Sequence, residues 1–102
     1  MDVYIELLGI RFAWHDKKLR QNERNHDDIS LEEAADAFLD PDAVYTSAGE
    51  GHTDGRQALI GKTRKALTLF VVQIEESDTD VLFISARYAT PDERKRYEAR
   101  LY

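Results

Sequence analysis

Residues 67–74 (Leu-Thr-Leu-Phe-Val-Val-Gln-Ile) are apolar at positions of both parities. A strand of that kind needs cover on each side, which places it in the middle of a sheet with helices packed against it. Its neighbours are β-like too: residues 43–47, residues 57–61 led in by Arg56, and residues 81–87 after the acidic turn at 75–80. Connections this short favour an antiparallel meander over βαβ crossovers. Between the first two runs, Gly49, Gly51 and Gly55 mark a flexible loop. Residues 4–14 alternate imperfectly and read as one strand or a broken pair ending near Trp14, with Gly9 as the bulge or break.

Helices flank these runs, giving an α+β fold. Asp16 can cap a short polar helix over residues 17–25, whose aliphatic anchor is Leu19 and whose Lys17 and Lys18 oppose its dipole. If that helix continues, Lys18, Asn22 and His26 fall in one row. A clearer helix follows. Ser30 and Glu33 form a capping-box pattern, Leu31, Ala34, Ala35 and Phe38 repeat at helical spacing, and Pro41 stops it. Burying Leu31 and Phe38 should contribute roughly 1.5–3 kcal/mol each. The last helix starts abruptly: the strand over residues 81–87 delivers Arg87, then Thr90, Pro91 and Glu93 supply a cap, a preset first φ and a capping-box acid. Arg94, Tyr97 and Leu101 fall on one of its faces.

The 102 residues suit a single domain, 1–102. With no cysteine, disulfides and thiolate metal sites are excluded. His15, His26 and His52 lack a shared metal-binding spacing, so no zinc site and no cofactor is expected. The start of the chain has no basic n-region, and no run approaches the ~20 apolar residues of a membrane span, so a cytoplasmic location is the expectation. The net charge of −6 argues against a generally basic nucleic-acid binder. Its distribution is uneven: residues 23–54 carry ten acids against Arg24, whereas residues 56–65 carry Arg56, Lys62, Arg64 and Lys65 with no acid.

At the last junction, Arg87 ends a strand beside the orphan amides of a helix start, a place suited to a phosphate or carboxylate. The alternative is that Arg87 only neutralises Asp92 or Glu93.

Four groups of residues, in order, resemble the BrnT family of type II toxin–antitoxin toxins. They are Phe12, Trp14, Lys18, Asn22 and His26; then Ser30, Glu32, Glu33, Ala34, Phe38, Asp40 and Pro41; then His52, Arg56 and Gly61; and the ending I-S-A-R-x-A-T-x-x-E-R-x-x-Y from Ile84 to Tyr97. The resemblance implies a RelE-like ribonuclease, with an antiparallel sheet packed against two N-terminal helices and a C-terminal helix. It also implies cleavage of RNA that inhibits translation, neutralisation by a BrnA-type ribbon-helix-helix antitoxin, and operator DNA contacted only through that antitoxin. The chain departs from the family pattern at Leu82, where an arginine is usual, at Gly55, where an acid is usual, and at Asn25, where a lysine is usual.

Metal-independent RNA cleavage needs a base for the 2′-OH, cations around the phosphorane and an acid for the leaving oxygen. Arg56 and Arg87 suit a bidentate phosphate clamp if their strands are neighbours. Lys18 and His26 would line the cleft, and His52 is the base with the best-matched ordinary pKa. Trp14 and Tyr97 would stack bases or else serve as core aromatics. Lys62 and Arg64 join them as substrate-binding cations. Two functions follow: a ribonuclease toxin, or a member with weakened catalysis that binds its antitoxin and acts as an operator co-repressor.

Overall fold

A computed structural model describes residues 4–15, 29–49, 51 and 55–99. In chain order these form β1 (Tyr4–Leu7), β2 (Ile10–Trp14), α1 (Leu31–Phe38), β3 (Val44–Thr46), β4 (Gln57–Lys62), β5 (Thr68–Ser77), β6 (Asp80–Tyr88) and α2 (Pro91–Ala99). The strands make one sheet in the order β1-β2-β6-β5-β4-β3. β3 to β6 are the expected meander, each antiparallel to the next.

The sheet is mixed, which corrects the expectation of a purely antiparallel one. β2 lies parallel to β6, from Arg11 opposite Asp80 to Trp14 opposite Phe83. The chain between them includes α1 and three strands, ample for the return path that a parallel pair requires. The helix count also differs: α1 is the one helix ahead of the meander among the described residues, and the helix expected over residues 17–25 lies outside them. Of the readings open for residues 4–14, the broken pair is found, with Gly9 as the break in the turn between β1 and β2. Leu8 (φ 53°) and Gly9 (φ 81°) both take positive φ, as the tightest hairpin turns demand. The acidic segment expected to be all turn is mostly strand, since β5 runs to Ser77 and only Asp78 and Thr79 reverse the chain.

Each helix covers one side of the sheet. α1 is capped as its sequence implies, with Ser30 Oγ accepting from the Glu33 amide at 3.1 Å and Glu33 Oε1 accepting from the Ser30 amide at 3.0 Å. Its apolar stripe meets Leu59, Leu69, Val71, Phe83 and Ala86 of the sheet. Phe12 and Phe83 stack at 5.6 Å, and Phe38 and Trp14 approach this pair edge-on. Packing is closest at Gly61, where a Cβ would collide with the Ala37 carbonyl. On the opposite side, α2 contributes Tyr97 to a smaller cluster with Ile60 and Ala89, flanked by Val44 and Phe70.

Candidate functional site

The β6–α2 junction forms as its sequence directs. The Thr90 hydroxyl accepts from the Glu93 amide at 3.2 Å, and Glu93 Oε1 accepts from the Thr90 amide at 2.8 Å. The same carboxylate receives both arms of Arg87, Nη1 at 2.7 Å and Nη2 at 2.9 Å. The guanidinium lies 4.2 Å above the Phe70 ring, and its Nη1 also reaches the Tyr88 carbonyl at 3.3 Å. Arg87 is therefore clasped by an aromatic face and a carboxylate, yet its side chain keeps 42% exposure. Its hydrogen bonds hold the Glu93 carboxyl below the usual carboxylate range, outweighing the opposing effect of burial, with further help from Thr90. The anion expected beside this helix start is thus supplied by the chain itself.

Directly opposed residues in neighbouring strands share a face. Ile60, Phe70 and Arg87 are opposed across β4, β5 and β6, and so lie together on the α2 side. Arg56 immediately precedes β4 with the parity of Ala58, Ile60 and Lys62, which assigns it to the same side. It is half-buried. The two arginines are not level, however. Arg56 precedes Ile60 by four residues, ~13 Å of strand, and β4 is two strand spacings from β6, so the Cα atoms stand ~16 Å apart. Arg87 also directs its fork toward Tyr88 and Glu93, the end of the sheet away from Arg56.

Tyr97 and Lys62 belong to a clasp centred on Asp40. Asp40 Oδ2 accepts from the Tyr97 hydroxyl at 2.6 Å and from the Lys62 amide at 2.8 Å, while Oδ1 accepts from the Asp42 amide at 2.9 Å. The Lys62 ammonium sits 5.5 Å over the Tyr97 ring. Tyr97 is only 5% exposed, so it is a core aromatic and not a base platform. Trp14, at 1% exposure and edge-on to Phe83, needs the same correction. Arg64 is on the α1 side, paired with Asp36 at 3.1 Å and highly exposed. It ties the β4–β5 hairpin to α1.

Lys18, His26 and His52 lie outside the described residues. Among the described residues, no group of three or more His, Asp or Glu side chains is arranged to hold a metal, and no helix is long and apolar enough to cross a membrane. A cleft of about 440 Å³, lined in part by Leu7, Leu8, Leu39, Asp40 and Lys62, opens at the end of α1; Arg87 is not among its lining residues.

Two roles escaped sequence reasoning. Asp40 stands in the sequence only as one residue of the family motif before Pro41, and nothing local marks it as a long-range acceptor. Phe70 looked like one more apolar strand residue. Its place under Arg87 depends on the β5–β6 register, which two irregularities shift, at Val72/Gln73 and at Glu75/Ser77.

No curated protein matches the chain in a sequence search. The family model described as "Ribonuclease toxin, BrnT, of type II toxin-antitoxin system" matches residues 14–93, a span running from the end of β2 to the carboxylate that grips Arg87. With most of its length so matched, this chain belongs to the BrnT family of ribonuclease toxins of type II toxin–antitoxin systems.

Proposed function

We propose that the chain is a metal-independent endoribonuclease that cuts RNA in the cytoplasm and thereby inhibits translation, and that a BrnA-type ribbon-helix-helix antitoxin neutralises it and links it to operator DNA. The observation that carries this reading is Arg87: a guanidinium fixed by Phe70 and Glu93 on the sheet, yet open to solvent. A cation held in place before substrate arrives stabilises charge as it develops on a phosphorane, with little reorganisation. RNA binding exchanges one anion for another. As a phosphate oxygen engages the fork, Glu93 gives up part of its bidentate pair while remaining the capping acid of α2 through the Thr90 amide. Arg56 is assigned to substrate binding on the same side. The proton transfers, from the 2′-OH and to the leaving 5′ oxygen, are assigned to Lys18, His26 and His52.

Inducing this chain alone should arrest growth, and Arg87→Ala should relieve the arrest at equal soluble protein. Purified protein should degrade RNA with a chelator present. Growth of the wild-type inducer strain, with folded protein confirmed, would overturn the reading.

A second reading, an antitoxin-binding module with weakened catalysis, draws on two observations. Leu82, where the family pattern has an arginine, is half-buried on the α2 side of β6, opposite Ala13 and Ile74. The Arg87 fork is also occupied by Glu93. Tight complex formation with the antitoxin and no RNA cleavage would favour it.

A further inference from the structure

We infer that Arg56 and Arg87 hold different phosphates of one extended single strand of RNA, rather than clamping a common one. This rests on the nuclease reading above and adds to it the length and path of the bound substrate.

Three features carry it. Both arginines occupy the α2 side of the meander, so one ligand can meet both. Their Cα atoms are ~16 Å apart by strand rise and spacing. The Arg87 fork is also turned toward α2, which widens the gap between the two charged groups. A separation of this size exceeds one internucleotide step and corresponds to roughly two or three steps of an extended strand.

The stretch between them is uncharged. Ala58, Val72, Ile74, Leu82 and Ser85 occupy this side between the two levels; Ala58 and Val72 are buried, and Ile74, Leu82 and Ser85 are partly exposed. An uncharged stretch with a cation at each end pins a backbone at two points, with the partly exposed Ile74, Leu82 and Ser85 between them. The substrate class is therefore single-stranded RNA long enough to present phosphates at both points, and a lone phosphodiester satisfies only one of them.

The test uses the purified full chain and oligouridylates whose 2′-O-methyl groups block cleavage, as a dinucleotide and as a hexanucleotide. Arg87→Ala should weaken both probes, by roughly tenfold each for one charge-assisted contact. The Arg56→Ala penalty should emerge only with the hexanucleotide, at a similar size. For that probe the two losses should multiply in the double variant, because separate contacts add in free energy. The slope of log affinity against log salt should fall by ~0.7 per arginine removed. Arg56→Gln, which keeps polar contacts, repeats the measurement should Arg56→Ala not fold.

An equal Arg56 penalty on the dinucleotide, or a double variant no weaker than Arg87→Ala alone, would show a common clamp and overturn the inference. Full hexanucleotide binding by both Arg56 variants would overturn it too. In these cases wild-type cleavage of unmodified RNA leaves the nuclease reading standing. Failure of the wild-type chain to bind either probe or to cleave RNA removes that reading and the inference with it.

Discussion

The two sides of this sheet are built from different materials. On the α1 side, Phe12, Trp14, Phe83, Leu59, Leu69 and Val71 are almost wholly buried against a helix rich in small residues. Its attraction is non-directional and grows with apolar area. On the α2 side the contacts of the described residues are specific: Tyr97 to Asp40, Arg87 to Glu93, Arg87 over Phe70. Among the described residues a smaller buried cluster of Ile60, Ala89 and Tyr97 forms there, and Ala13, Ala58 and Val72 are buried as well. One side therefore supplies most of the stability, and the other positions charge. On the function proposed above, a toxin that presents cations to RNA would gain from this separation, because surface residues can be arranged for the ligand while the core holds the frame.

The comparison breaks most visibly on the α1 side. Phe83 is fully buried and touches Phe12, Trp14 and Phe38. Phe83→Ala should cost ~3–5 kcal/mol in urea unfolding, enough to threaten a domain of this size. On the α2 side, Tyr97→Phe keeps the ring and removes the hydroxyl from Asp40, to which the Lys62 and Asp42 amides still donate. That should cost ~1.5–3 kcal/mol, the range for a hydrogen bond to a charged group, in the same measurement. A smaller Tyr97→Phe loss would show the clasp to be incidental.

Gln73 sharpens the contrast from within the core. It is fully buried at the irregularity in β5, and among the described residues neither its amide nitrogen nor its amide oxygen has a hydrogen-bond partner. Gln73→Leu should raise stability by ~1 kcal/mol, because it removes the desolvation cost of an unpaired amide. Destabilisation would mean that the amide has a partner in solution.

The smallest effect is a pH dependence. Glu93 titrates below the ordinary glutamate range in the folded chain, so the unfolded chain takes up that proton first as pH falls. The Arg87–Glu93 contribution is then complete above the ordinary range and is lost as pH drops through the lowered value. Glu93→Gln should flatten that portion of the stability profile, measured by thermal melting across the acid range.

Much of this frame was legible in the sequence, and the reasons are local. The capping boxes at Ser30 and Thr90, the apolar run in β5 and the stop at Pro41 are governed by neighbours in the chain. What escaped depended on distant partners. The parallel pairing of β2 with β6 joins segments that no turn connects. The Asp40–Tyr97 bond spans 57 positions. Arg56 and Arg87 stand near strand ends, which local sequence implies, but their relative level follows from a register that the irregularities in β5 and β6 displace. Trp14 and Tyr97 show the same limit, since an aromatic beside a strand end reads equally as platform or core until its packing is known.

The most direct test is the rate of RNA cleavage by wild type and Arg87→Ala, measured on protein whose circular dichroism shows both to be folded. The expected loss is about 10²- to 10³-fold, the size typical of removing one preorganised donor from a charge-stabilising site, without loss of the fold. Cleavage by the Arg87 variant at the wild-type rate would contradict it.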